Sequence, residues 1–160
     1  KNYIPVCKMA LRTHSSTAVE KYSQKAADKC VPLDSELIKE AIPLFTQIHH
    51  CGSVLTEVFF AMMISRILYG SVPAPGTMLI FSILLATCSI GTPGLPWGTV
   101  MVSLGTLTGI LKFGDSGMAL MFAVFALNDA FAAACNATCD GAAALFLTGY
   151  VKRHDFSNRL

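Results

Sequence analysis

At 160 residues, 53% of them hydrophobic and only 14% charged, the chain is more apolar than a typical soluble domain, and the first reading is a membrane protein with room for a few spans of about 20 residues. A net charge of +2, with no basic run interleaved with aromatics, excludes nucleic acid as a partner.

The chain opens on Lys1, and "KNYIPVCKMALRTHSST" lacks the basic start, apolar middle and small-residue cleavage site of a secretory signal, so a piece of something larger is expected. Residues 1–30 are polar and Ser/Thr-rich around "RTHSSTA"; "AVEKYSQKAADKC" then has helical propensity but too many charges to cross lipid. In "VPLDSELIKE", Pro32 and Asp34 before acidic residues mark a helix start. Residues 31–75 are expected to form a broken transmembrane helix, apolar over 41–68 and interrupted at "HHCGS", residues 49–53.

"YGSVPAPGT" is an uncharged Pro/Gly connector, and within residues 76–114 two apolar runs, "MLIFSILLATCSI" and "GTVMVSLGTLTGILKF", flank "GTPGLPWG". Each run is shorter than the roughly 17 residues of a full crossing, which predicts a re-entrant hairpin rather than one kinked span. Pro93 and Pro96 with three glycines at that tip would leave backbone groups unpaired in lipid unless protein or a watery cavity covers them. Residues 115–151 make a long final transmembrane helix, and 152–160 a tail. Lys21, Lys25, Lys29 and Lys39 precede the first span and Lys152, Arg153 and Arg159 follow the last, so both ends are expected in the cytoplasm, with the plasma (inner) membrane as location.

The final helix carries Asp129, Asn136 and Asp140. At 100° per residue these fall within an arc of about 40°, one polar stripe in an otherwise apolar helix. Ionised carboxyls at membrane depth need a cavity, a cation or a partner, and mark a functional site; the alternative is that the three only staple helices together. Three other irregular polar segments, "THSST", "HHCGS" and "SIGTPGLPWGT", offer the backbone carbonyls and helix N-termini with which secondary transporters build midplane sites.

Smaller signals divide similarly. The six cysteines, Cys7, Cys30, Cys51, Cys88, Cys135 and Cys139, form no paired C-x-x-C pattern. Cys135 and Cys139 share a helix face and are read as packing residues, with a reactive or metal-binding pair as the alternative. Adjacent His49 and His50 point about 100° apart, which argues against zinc. Asn136 heads a glycosylation sequon inside an apolar helix, and Trp97 is either an interfacial anchor or a lid.

At these residues the chain resembles the dicarboxylate/amino acid:cation symporter family, which includes the sodium-coupled glutamate and aspartate transporters. "SIGTPGLPWGT" is similar to the family's second-hairpin tip, "NATCD" to the N-x-x-x-D signature of its last helix, and "RTHSSTA" to the serine-rich first tip, with Ser15, Ser16 and Thr17 on the serine positions. The resemblance covers almost the whole chain and corresponds to the family's C-terminal, transporting half. It implies an all-α membrane protein, with two transmembrane helices, the first broken mid-span, and re-entrant hairpins; residues 1–30 would be the tip and second arm of the first hairpin. It implies a symporter, no enzyme, with a small-molecule solute, membrane lipid, a missing N-terminal scaffold half and a homotrimeric full-length form as partners, sodium as the ion and no organic cofactor.

Carried over, the resemblance places the solute among Ser15, Ser16, Thr17, Thr92, Pro93, Gly94, Asp129 and Asn136, and sodium at Asp140 with Asn136. Two departures modify it. Ala132 stands where members that take acidic solutes carry an arginine fork, so a compact neutral amino acid, or a solute whose second anionic group is met elsewhere, is expected rather than glutamate or aspartate. "HHCGS" replaces N-M-D-G-T, putting His49 and Cys51 where an amide and a sodium-ligating aspartate belong; proton coupling through His49 or His50, with Glu57, is expected to replace part of the sodium coupling. Histidines merely hydrogen-bonded inside the bundle are the alternative to that coupling. The alternative function is a truncated or degenerate membrane module that binds without transporting.

Overall fold

The computed structural model describes residues 2–30, 34–92 and 97–154, and these residues form helices and no strand. Pro32, Pro93, Gly94, Pro96 and Arg159, singled out in the sequence, lie outside the described residues.

The first helix, α1 (Ile4–Thr13), has a proline in its first turn, where a missing N–H leaves nothing unpaired, and ends at His14 in the left-handed conformation (φ 54°), whose N–H donates to the Ala10 carbonyl. The sequence predicts a tip and one helical arm over residues 1–30; α1 is a helix ahead of the Ser15–Thr17 segment that this reading lacks, obscured because it buries only Val6 and Ala10. A 3₁₀ turn (Thr17–Val19) leads into α2 (Glu20–Asp28).

Asp34 caps α3 (Ser35–Ile48), its carboxylate accepting from the Glu36 and Leu37 N–H groups. The following helix, α4 (Cys51–Tyr69), ends at Gly70 in the left-handed region (φ 78°). The interruption between α3 and α4 is thus confined to His49 and His50, narrower than the 49–53 read from sequence, because residues 51–53 complete the first turn of α4. Next come α5 (Pro75–Ile90) and α6 (Gly98–Gly109), which pack on each other; at 16 and 12 residues they reach only about 24 and 18 Å, less than the bilayer's hydrocarbon thickness.

The last helix, α7 (Asp115–Arg153), is the axis of the molecule, with α1, α2, α3, α4 and α6 all packed against it. Its first third joins α4, α5 and α6 in a core of Ala61, Ile64, Phe81, Leu85, Val100, Leu107, Met121 and Phe125. Its middle meets α1 and the 3₁₀ turn through Val6, Ala10, Val19, Ala134 and Ala137, and its later part meets α2 and α3 through Ala27, Ile38, Ile42 and Ala144. Small residues permit this closeness. A Cβ at Gly52 would lie 2.6 Å from both the Ala132 carbonyl oxygen and the Cys135 Cβ, and the Tyr3 ring occupies the space where a Cβ of Gly141 would go.

Large apolar side chains also lie outside: Leu55, Phe59, Leu79, Ile83, Leu127 and Phe146 are all exposed. Two stretches, Ser35–Tyr69 and Asp115–Arg153, are long and apolar enough to cross a membrane, and only 33% of each apolar window is buried. The core helix of a soluble protein would hide most of that surface; a helix in lipid has no reason to.

Candidate functional site

The polar stripe of α7 is buried as a set: Asp129, Asn136 and Asp140 are 4%, 3% and 1% exposed. Each meets a different neighbour, because 11 residues of helix separate the first from the last by about 16 Å.

Asp129 lies between His14, which ends α1, and Trp97, which precedes α6. His14, next to Ser15 and Ser16, brings its Nδ1 to 3.9 Å from Asp129 Oδ2, and the backbone N–H of Trp97 is a hydrogen-bond donor to the same carboxylate. Oδ2 nevertheless has no hydrogen-bond partner among the described residues, although it is buried. Ser15 and Ser16, just after α1, are buried; the Ser15 hydroxyl accepts from the Ala18 N–H at 3.2 Å, and the Thr17 hydroxyl, also shielded, has no partner among the described residues. Thr92, at the second tip, is buried and donates to the Cys88 carbonyl at 3.2 Å. His14 and Trp97 therefore flank a carboxylate whose Oδ2 accepts no hydrogen bond from the described residues.

Asn136 holds the start of α4. Its Oδ1 accepts from the Gly52 N–H at 2.7 Å and the Ser53 N–H at 3.3 Å, and its Nδ2 donates to the Ser53 hydroxyl at 2.9 Å. Two of the donors that a helix N-terminus leaves unpaired are thereby satisfied, which lets α4 restart inside the protein.

Asp140 faces the break. His49 Nδ1 stands 3.0 Å from Oδ1, and Thr46 donates its hydroxyl to Oδ2 at 3.4 Å and also to the Ile42 carbonyl at 2.8 Å. His50 turns elsewhere, buried toward the Ser89 backbone on α5. A cleft of about 430 Å³ opens at the break between α4 and α5, lined by His49, His50, Cys51, Val54, Ser89 and Ile90 among others.

Sequence reasoning missed two further groupings. Glu57, fully buried, accepts a hydrogen bond from Ser103 on α6, with its second oxygen unpartnered. Cys51, at the first position of α4, joins Cys135 and Cys139 so that the three sulfurs lie within 4.8 Å of one another. The i, i+4 spacing announced the pair on α7, but only the packing of α4 adds the third thiol.

Residues 1–149 match the family model described as the sodium:dicarboxylate symporter family. No curated protein sequence matches the chain.

Proposed function

The chain belongs to the sodium:dicarboxylate symporter family, a family of sodium-coupled transporters rather than enzymes, and from that premise we propose how this chain binds its solute and couples its movement to ions. The solute is a small amino acid-like or dicarboxylate-like molecule held between the two tips. Asp129 Oδ2 takes an ammonium or hydroxyl donor from it, while the backbone around Ser15, Ser16 and Gly94, with Thr17, Thr92 and Pro93, cradles its carboxylate. Ala132 is buried where an arginine fork would be needed for a second carboxylate, which favours a compact neutral solute. The observation that carries this reading is the Asp129 carboxylate, approached from both tips yet left with a buried, unpartnered oxygen. Burial strips this atom of hydration, and the His14 imidazole at 3.9 Å is too distant to hydrogen-bond it, so a donor on the solute would fill the place.

Asp140 is the cation seat. Sodium favours carboxylate and carbonyl oxygens, and the imidazole of His49 stands against one of the two oxygens that would serve it. A protonated His49 and a sodium ion therefore compete for one carboxylate, which gives a physical basis for coupling to protons as well as sodium. Asn136 contributes through the break it holds, since its amide is engaged by Gly52 and Ser53. We take α1–α2 and α5–α6 as re-entrant hairpins that gate the solute, with both chain ends cytoplasmic in the plasma (inner) membrane. The transporting unit on this reading is carried by a scaffold half and assembles as a homotrimer. Solute and cation are coupled because each stabilises the same closed arrangement.

Reconstitution into proteoliposomes tests the proposal. Solute accumulation driven by an imposed sodium gradient, lost in Asp129→Asn and altered in its proton-gradient dependence by His49→Asn, is expected. The second reading, a non-transporting binding module, draws on His49 standing in the break and Cys51 opening α4 directly after it; saturable binding without accumulation would establish it in place of transport.

A further inference from the structure

We infer that Cys51, Cys135 and Cys139 form a binding site for a soft, thiophilic metal ion, of the kind exemplified by copper(I), zinc or cadmium, which pins the helix break to α7. Three features carry it. The sulfurs lie within 4.8 Å of one another; thiolates around a soft ion at about 2.3 Å stand about 4 Å apart, so closing on an ion takes side-chain movement of less than about 1 Å. The backbone that presents them is fixed: Cys135 and Cys139 are one turn apart on α7, and Cys51 precedes Gly52, whose closeness to Cys135 leaves no room for a Cβ. Access is provided by the cleft at the break, which Cys51 lines.

All three are free cysteines. On binding, each thiol loses its proton to solvent as its sulfur–metal bond forms, and nothing is oxidised or reduced. Because one ligand belongs to α4 and two to α7, the bound ion acts as a clasp across the interface that Asn136 also bridges. The clasp lies beside the Asp140 seat, so occupancy would hold the break in its present arrangement and oppose any transport step that requires it to move. This metal is a regulator, distinct from the transported cation in both chemistry and ligands.

Cadmium alone is the probe. The reduced full chain in detergent is titrated with cadmium while the ultraviolet thiolate-to-metal absorption is followed. The expected result is one ion per chain, with affinity about tenfold or more weaker in Cys51→Ser and in Cys139→Ser, since each removes one of three thiolates, and unchanged in Cys88→Ser. No absorption at stoichiometric cadmium, or absorption that Cys51→Ser leaves unaltered, overturns the site. Should the serine variants lose their fold, alkylation of the unaltered protein decides: cadmium must protect Cys51, Cys135 and Cys139 while Cys88 is still modified, and equal modification of any of the three with and without cadmium refutes it. These readouts require no uptake, so they fail or succeed separately from the transport proposal.

Discussion

Replacing Gly52 by alanine tests the packing on which the break depends. The new methyl would lie 2.6 Å from the Ala132 carbonyl oxygen and 2.6 Å from the Cys135 Cβ, both anchored to the backbone of α7, and 3.1 Å from Asn136 Oδ1. Neither of the first two can swing aside, so α4 must lift by about 1 Å, and overpacking of this kind costs about 1–3 kcal/mol. Lifting also stretches the Asn136 hydrogen bonds to Gly52 and Ser53, each contributing about 1 kcal/mol. Better helix propensity returns at most about 1 kcal/mol, leaving a net loss of about 2–4 kcal/mol and a fall in Tm of about 4–15 °C for a chain of this size. Thermal unfolding in detergent measures it, with Gly149→Ala as the comparison. Gly149 also lies in α7 but has nothing within 4 Å of a new Cβ, so that variant should be unchanged or slightly more stable. If Gly52→Ala unfolds at the same temperature as Gly149→Ala, the close α4–α7 approach is not what holds the break.

Asn136→Ala leaves the Gly52 and Ser53 N–H groups buried without their acceptor and should lower stability by about 2–4 kcal/mol, read by the same unfolding curve. Asp129→Asn should fold normally yet lose the thermal shift that the solute produces, because a neutral amide cannot pair with an ammonium; an undiminished shift would remove Asp129 from the site. Asp140→Asn should abolish the stabilisation given by sodium and leave the solute's at its sodium-free value, and retention of the sodium effect would move the cation elsewhere. Tyr3→Phe removes the hydroxyl contacts to the Ser23 carbonyl at 3.3 Å and hydroxyl at 3.1 Å while keeping the ring over Gly141; a loss of about 1 kcal/mol in the unfolding free energy is expected.

The elements that could be read in the sequence are those with local causes. Asp34 announced the start of α3, two runs too short to span flanked the Pro/Gly segment between α5 and α6, and the periodicity of α7 put Asp129, Asn136 and Asp140 on one buried face. Features that depend on tertiary contact were not legible. Residues 51–53 looked like part of an irregular stretch because the group that caps them, Asn136, is more than eighty positions away. α1 escaped because its short buried face sits among lysine, arginine and threonine. Periodicity shows one polar stripe but not its partners, and the helix rise distributes its members among His14 and Trp97, the start of α4 and the break. Glu57 was grouped with the histidines, but its hydrogen bond goes to Ser103 on α6.

All three polar anchors sit on a single uninterrupted helix of 39 residues. A continuous hydrogen-bonded rod changes length very little, so the separations among these anchors stay constant through any working cycle. On the transport reading proposed above, the α1–α2 and α5–α6 pairs would gate a passenger by shifting against α7 as though against a fixed scale.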